Sequence, residues 1–176
     1  MKYIYLIILF SLFIITETKA APPLKPFELE ISLGGTYGID KYVGNRQIGP
    51  AFALEGRYNF SDKPMDIGLE LYGGSTARNY EGTNLSNRIL SLSAFTDYNF
   101  RRGKTFSPFV GVGIGVASYK VVQGYYGDDA VKAIFTPRIG FELFNHFRIT
   151  VYSRLGNKGY NNCGLSVGYA FGGGKR

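Results

Sequence analysis

Apolar and polar residues alternate with a period of two through most of this sequence. In the stretch PFVGVGIGVASY, residues 108–119, valine and isoleucine occupy one parity while glycine and alanine occupy the other. Such alternation is typical of a β-strand with two unlike faces, because successive side chains point to opposite sides. A row of glycines is unfavourable in a strand unless other side chains need the space above it. The stretch therefore predicts a strand with one apolar face and one face against a crowded space.

The same alternation predicts eight strands in all, at about residues 27–37, 49–60, 65–75, 88–100, 108–119, 131–143, 147–155 and 162–172. The connections between them alternate between long and short. The long ones are Ile39 to Ile48, Ser75 to Asn87, Lys120 to Asp129 and Gly156 to Asn161; the tight turns are 61–64, 101–104 and 144–146. Pro137 lies inside the sixth strand and has no amide donor, so we expect a bulge or a kink there.

Aromatic residues collect at one end of the apolar parity, where they predict an interfacial girdle. Its members are Phe27, Tyr58, Phe60, Tyr98, Phe100, Phe141, Phe147, Tyr169 and Phe171. The opposite parity carries charges of both signs, which must pair if they are buried. These residues are Glu28, Glu30, Glu55, Arg57, Asp66, Glu70, Asp97, Lys132, Arg138, Glu142, Arg148 and Arg154. They form either a network that fills a lumen or, as the functional alternative, a gated proton or ion path.

Composition is consistent with one small all-β domain, since the 176 residues include 16% aromatics, 24 glycines and a single cysteine. Alternation alone also fits a soluble barrel of the lipocalin kind, with its apolar face inside. Three features favour a barrel with its apolar face outside: the glycine rows, the aromatic girdle and the alternating connection lengths. We therefore predict an eight-stranded antiparallel up-and-down transmembrane β-barrel.

Residues 1–20 differ from the rest of the chain. Lys2 precedes an apolar run from Tyr3 to Ile15, and the segment ends in small residues at Thr18 and Ala20. The run is shorter than the ~18 residues that a spanning helix needs, so a secretory signal peptide is favoured over a membrane anchor. We expect a mature barrel domain of residues 21–176, located in the outer membrane.

Candidate chemistry is sparse. The single histidine, His146, falls in a predicted tight turn, where it cannot serve as the base of a barrel-embedded hydrolase, so we expect no enzyme activity. Asp128 and Asp129 could touch a cation, although a solvated loop tip is the simpler interpretation. Cys163 has apolar parity, which favours packing or lipid contact over reactivity. The net charge of +7 is weak evidence for a nucleic-acid partner, and we expect no cofactor.

The stretches SPFVGVGIGVAS and PRIGFELFNHFRITVYSRLGNKGYNNCGLSVGYAFGGG resemble the small eight-stranded outer-membrane barrels of the OmpA and OmpX type. The resemblance implies contact with outer-membrane lipid and insertion by the outer-membrane assembly machinery, with Phe171 as the aromatic residue of the last strand. The chain departs from that pattern by continuing for five residues after Phe171 and by having no tryptophan. Members of this family do unlike things, so the resemblance implies fold and location rather than activity.

Two functional classes remain compatible with these patterns. The first is a structural or surface-interaction protein, because loops on a rigid scaffold are common recognition sites and tyrosine suits such contacts. The predicted outer connections carry Tyr42, Tyr80, Tyr125, Tyr126 and Tyr160. The alternative is a narrow ion or small-solute channel.

Overall fold

The computed structural model of the protein describes residues 25–39, 45–80, 83–122, 130–156 and 161–172. The predicted signal peptide and the pair Asp128 and Asp129 lie outside these residues. The described ranges contain nine strands: β1 (Phe27–Gly38), β2 (Asn45–Gln47), β3 (Gly49–Asn59), β4 (Met65–Tyr80), β5 (Thr83–Asn99), β6 (Phe106–Val122), β7 (Ala130–Leu143), β8 (Phe147–Arg154) and β9 (Asn162–Phe171). Within these ranges we find no helix with the length and apolarity to cross a membrane.

The strands close into a barrel. Each strand from β3 onward pairs antiparallel with the next, and β1 pairs with both β3 and β9, with Leu29 opposite Phe171 and Gly38 opposite Asn162. β2 and β3 both pair with β4 and together form a single stave. The fold is therefore an all-β, eight-staved antiparallel up-and-down barrel, and the predicted fold class is confirmed.

A β-bulge joins β2 to β3. Gln47 lies opposite Ala77 and Ala51 opposite Gly74, so four steps along one stave match three along the other. Gly49 sits in the bulge, where an added Cβ would lie 1.6 Å from the carbonyl oxygen of Ser75. The expectation of an uninterrupted connection from Ile39 to Ile48 is thus wrong, because residues 45–47 pair beyond the bulge.

The strands on both sides of the predicted connection Ser75 to Asn87 are longer than expected. β4 and β5 pair continuously to Tyr80 opposite Thr83, so this segment is a hairpin rather than a loop. β6 likewise continues to Val122 instead of ending before Lys120. The alternation pattern did not predict these extensions, because outside a membrane both faces of a strand can be polar. We call this end of the barrel the extended rim, and the end with the turns at 60–64, 100–105 and 144–146 the short-turn rim.

Pro137 interrupts one ladder without a bulge. β7 and β8 pair from Leu143 opposite Phe147 to Arg138 opposite Tyr152, and a bridge between Phe135 and Leu155 continues in the same register. No residue is inserted, so of the bulge or kink expected at Pro137 the bulge is absent. The ladder lapses beside Pro137 because proline has no N–H to donate.

Polarity is inverted relative to a soluble protein. Large apolar side chains face outward along every stave, for example Leu33 at 68%, Leu69 at 60% and Ile114 at 67% exposure. Charged side chains such as Arg57 and Arg148 are buried, with only 2% of their surface exposed. An exposed apolar surface that encircles the molecule is stable only against lipid, so this is a transmembrane barrel.

Arg102 holds two turns of the short-turn rim together. Its Nη1 donates to the carbonyl oxygens of Phe60 and Lys63, both at 2.5 Å, and to that of Met65 at 3.3 Å. Burial lowers the pKa of Arg102 from its usual value, yet a guanidinium remains charged at physiological pH. The arginine of the second turn thus satisfies the carbonyls of the first.

We predict that Arg102→Gln lowers the free energy of unfolding by about 2 kcal/mol, because charge-assisted hydrogen bonds to three part-buried carbonyl oxygens are lost. Urea unfolding of the protein in lipid vesicles measures this change. Arg101→Gln is the matched control, since Arg101 is the exposed neighbour in the same turn. Equal unfolding midpoints for the two variants would contradict the clamp.

Candidate functional site

The centre of the lumen is an aspartate between two arginines. Arg138 Nε and Nη2 each donate to a different carboxylate oxygen of Asp97, both at 2.7 Å. Arg148 Nη2 also donates to Asp97, at the oxygen Oδ2 that Arg138 Nη2 contacts. Arg138 Nη1 also donates to Glu55 at 3.0 Å. Such bidentate, charge-assisted contacts fix the orientation of the guanidinium planes.

The network continues toward β1 and β3. Arg57 Nη2 lies 2.6 Å from Glu30 and 3.8 Å from Glu28, and Arg148 Nε lies 4.0 Å from Glu30. Because Arg148 also contacts Asp97, these ion pairs form one chain that crosses the lumen. The chain begins at Glu28 and passes through Arg57, Glu30, Arg148, Asp97 and Arg138 to Glu55. Positive and negative charges alternate along it, as burial requires.

Aromatic rings support the guanidinium groups. Arg138 lies 3.7 Å above the ring centre of Phe95, and Arg148 lies 3.7 Å above that of Phe109. Cation–π contacts of this kind strengthen when water is excluded. Phe95 and Phe109 were not among the residues that the sequence pattern assigned to the lumen.

A second ion pair lies nearer the extended rim. Arg154 Nη2 contacts Glu70 at 2.8 Å, and its guanidinium lies 3.6 Å from the ring centre of Tyr72. Tyr152 donates its hydroxyl to that of Tyr72 at 3.3 Å. Above this layer the lumen is closed by a buried cluster that also includes Tyr119, Ile89 and Ile134.

Glycines make room for these side chains. An added Cβ at Gly111 would lie 1.8 Å from Asp97 Oδ1, and one at Gly168 would lie 2.1 Å from Glu30 Oε1. The glycine row of β6 therefore faces the crowded lumen. A cavity lined by Glu55, Glu70, Arg138 and Arg154 has a volume of about 10 Å³, which is no more than a single water molecule requires.

Three predicted members, Glu142, Lys132 and Asp66, form no ion pair among the described residues. Glu142 lies directly opposite Arg148 in the β7–β8 ladder, but the guanidinium of Arg148 reaches Asp97 instead. Among the described residues, no cation forms an ion pair with Glu142. Lys132 is exposed at the extended rim. Asp66 instead accepts a hydrogen bond of 2.9 Å from Asn99, a residue that charge counting overlooked.

The aromatic residues of the expected girdle lie at the short-turn rim. The ring centres of Phe27 and Tyr58 are 5.1 Å apart, and those of Tyr98 and Phe100 are also 5.1 Å apart. Further edge contacts connect the remaining members, namely Tyr58 with Phe60, Phe147 with Tyr169, and Tyr169 with Phe171. Phe141 packs against Phe106, a neighbour that the alternation pattern did not assign to the girdle.

The residues considered for chemistry have ordinary surroundings. The ring of His146 stacks on Tyr169, with centres 5.4 Å apart, and Nδ1 lies 3.0 Å from the carbonyl oxygen of Ala170. Cys163 is a half-buried free thiol. No cluster of histidine, cysteine or carboxylate residues suited to a metal ion occurs in the part of the chain that the structure describes.

We predict that Arg138→Met lowers the free energy of unfolding by about 3 kcal/mol, since it leaves Asp97 and Glu55 short of a buried partner. Chemical unfolding in vesicles tests this value. Lys132→Met is the matched control, because Lys132 lies on the same strand but is exposed. A loss equal to that of the control would show that Arg138 does not neutralise the lumen.

No family model matches this sequence, and no curated protein matches it with significance. The structure is similar to Neisserial surface protein A, with a TM-score of 0.61 and 12% identity, covering 84% of this chain and 97% of that one. It is also similar to Ail, the attachment invasion locus protein of Yersinia pestis, in complex with the heparin analogue sucrose octasulfate, with a TM-score of 0.50, 18% identity and coverage of 82% and 99%. The closed register, the outward apolar belt and these likenesses show that the chain has the fold of the small eight-stranded outer-membrane β-barrels.

Proposed function

We propose that this protein resides in the outer membrane and acts through its extended rim in interactions at the cell surface, while its lumen serves as a closed structural core. Residues 1–20 would direct export, and the assembly machinery would insert the barrel, with Phe171 as the terminal aromatic of β9. No chemistry in the lumen is needed for this role.

The observation that carries the proposal is the hairpin of β4 and β5. Beyond the pair Ser75 and Arg88, five further residue pairs continue to Tyr80 opposite Thr83. At roughly 3.3 Å per residue the hairpin extends about 16 Å past that level. β2 adds a third strand beside residues 77–79. A closed barrel needs none of this length, and a rigid projecting sheet is a suitable scaffold for recognition.

The lumen supports the same proposal by its closure. Ion pairs fill its middle and the tyrosine cluster with Ile89 fills the layer above. A channel would require the pairs around Arg138 to separate, at a cost of several kcal/mol for each unpaired buried charge. Eight staves leave an interior only wide enough for side chains.

We predict that the reconstituted protein passes no sugars and gives no steady conductance in planar bilayers. Liposome swelling and single-channel recording measure the two properties. Arg138→Ala serves as the comparison, since it removes the side chain that joins Asp97 to Glu55 and opens the lumen at that layer. Stable conductance steps from the unmodified protein would favour the alternative function, a narrow channel.

We also predict that replacing residues 78–85 by a two-residue turn leaves a folded barrel but abolishes its cell-surface binding phenotype. The barrel should persist because the residue pair of Ser75 and Arg88 and the ladders below it remain intact. Folding is followed by circular dichroism and resistance to protease, and binding by adhesion of cells that express the protein. Shortening the connection after Arg154 is the control for loss of any surface segment. Full binding by the trimmed hairpin would refute the assignment.

A further inference from the structure

Two cations face each other on the outer surface of the barrel near the extended rim. Arg88 on β5 and Lys120 on β6 are direct partners in the ladder, and both side chains are exposed. Beside them, the hydroxyls of Ser75 and Ser86 are 3.1 Å apart. Like charges directly opposite on one face repel each other. An anion between them would remove that repulsion.

Neither cation is neutralised by the described part of the chain. The ion pairs that the described residues form all lie inside the lumen. Arg88 and Lys120 have the outward parity of Leu90 and Val116, which are exposed members of the apolar belt. The pair is therefore separated from the lumen carboxylates by the barrel wall.

The cation pair lies at the height of a lipid headgroup. Arg88 is ten residues from Tyr98, the girdle residue of the same strand. At roughly 3.3 Å per residue and a strand tilt of about 40°, this separation corresponds to a height of about 25 Å, the thickness of an outer-membrane apolar band. Arg88 and Lys120 thus lie where the apolar belt ends and the polar interface begins.

An apolar groove runs along the belt directly below the two cations. Its volume is about 560 Å³, and Leu33, Phe52 and Leu90 form its walls. The ring of Phe52 lies across the backbone of Gly73, where an added Cβ would be 2.4 Å from it, so this ring forms the floor of the groove at its centre. Arg88, Lys120 and Ser118 line its upper end. A groove of this size has room for a ligand with an extended hydrocarbon part.

A second outward groove shows what distinguishes the first. It has a volume of about 620 Å³ and surrounds Gly56, with Tyr58 and Ile67 in its lining. The cation that lines it, Arg57, is turned into the lumen and contacts Glu30 at 2.6 Å. The two grooves are alike in size and apolarity, so the outward cation pair is the particular feature of the first one.

We propose that this face binds a phosphorylated lipid of the outer leaflet, with its phosphate between Arg88 and Lys120 and one acyl chain in the groove, against Phe52 and Leu90. The inference rests on the outer-membrane placement proposed above, in which the extended rim faces outward. Charge complementarity determines the headgroup, since juxtaposed basic side chains at a membrane surface attract anionic lipids. Because the groove runs along the apolar belt, a ligand whose acyl chain occupies it remains in the membrane.

The test uses the full-length mature protein in phosphatidylcholine vesicles that contain a trace of spin-labelled phosphatidic acid or, in parallel, spin-labelled phosphatidylcholine. We expect preferential immobilisation of phosphatidic acid, and a loss of preference of about fivefold for Arg88→Gln and again for Lys120→Gln. Lys104→Gln, an exposed lysine at the short-turn rim, is the charge control and should change nothing. Equal behaviour of the three variants would overturn the headgroup assignment.

The groove is tested separately by filling it. Ser118→Phe should lower the immobilisation of phosphatidic acid, whereas Ala94→Phe, in the second groove, should not. If Ser118→Phe has no effect, the acyl-chain part of the proposal is wrong. Inorganic phosphate should compete only weakly; competition at equal concentration would show a site for free anions and overturn a lipid site. Because these measurements use vesicles, their outcome is independent of the cell-adhesion experiment on the hairpin.

Discussion

The narrowness of an eight-staved barrel is the constraint on which the rest of this structure depends. Its interior must be filled by side chains from its own walls, and in this protein those side chains are largely charged. Asp97 can be buried because Arg138 and Arg148 both contact its carboxylate. The neighbouring strand β6 leaves room for these contacts, because Gly111 lies opposite Asp97 and has no Cβ that would occupy the space. The buried ion pairs therefore depend on the position of glycine in the neighbouring strand.

The network explains why the lumen holds charge rather than leucine and valine. The outer face must be apolar for the membrane, and strict alternation then leaves the inner positions to residues of the opposite class. Ion pairs buried without good geometry destabilise a protein. Here Arg138 combines a bidentate contact to Asp97 with a ring contact to Phe95, and Arg148 contacts the same carboxylate while lying over the ring of Phe109. Toward the extended rim, where Tyr72 and Tyr152 share a hydrogen bond, the filling becomes aromatic.

The two rims are built for different purposes. At the short-turn rim Arg102 draws adjacent turns together, and aromatic rings pack edge to face along the interface. At the extended rim the ladders continue past the membrane, and the outward surface changes from apolar to basic at Arg88. The extra structure is thus concentrated at the rim where recognition of a surface partner and of lipid headgroups is proposed.

The alternation of the sequence determined the number of staves, the pairing of neighbours and the face of nearly every strand residue, because parity in a half-buried strand is a local property. It also placed Arg138, Arg148 and Asp97 on one inner surface. Tertiary structure alone decided which charges met: Glu142 lies opposite Arg148 in the ladder, yet the guanidinium extends across the lumen to Asp97, on a strand that is distant in sequence. The bulge at Gly49 and the hairpin up to Tyr80 also escaped the sequence pattern. Strand pairing outside the membrane has no apolar face to impose alternation, so only the register of neighbouring strands specifies it.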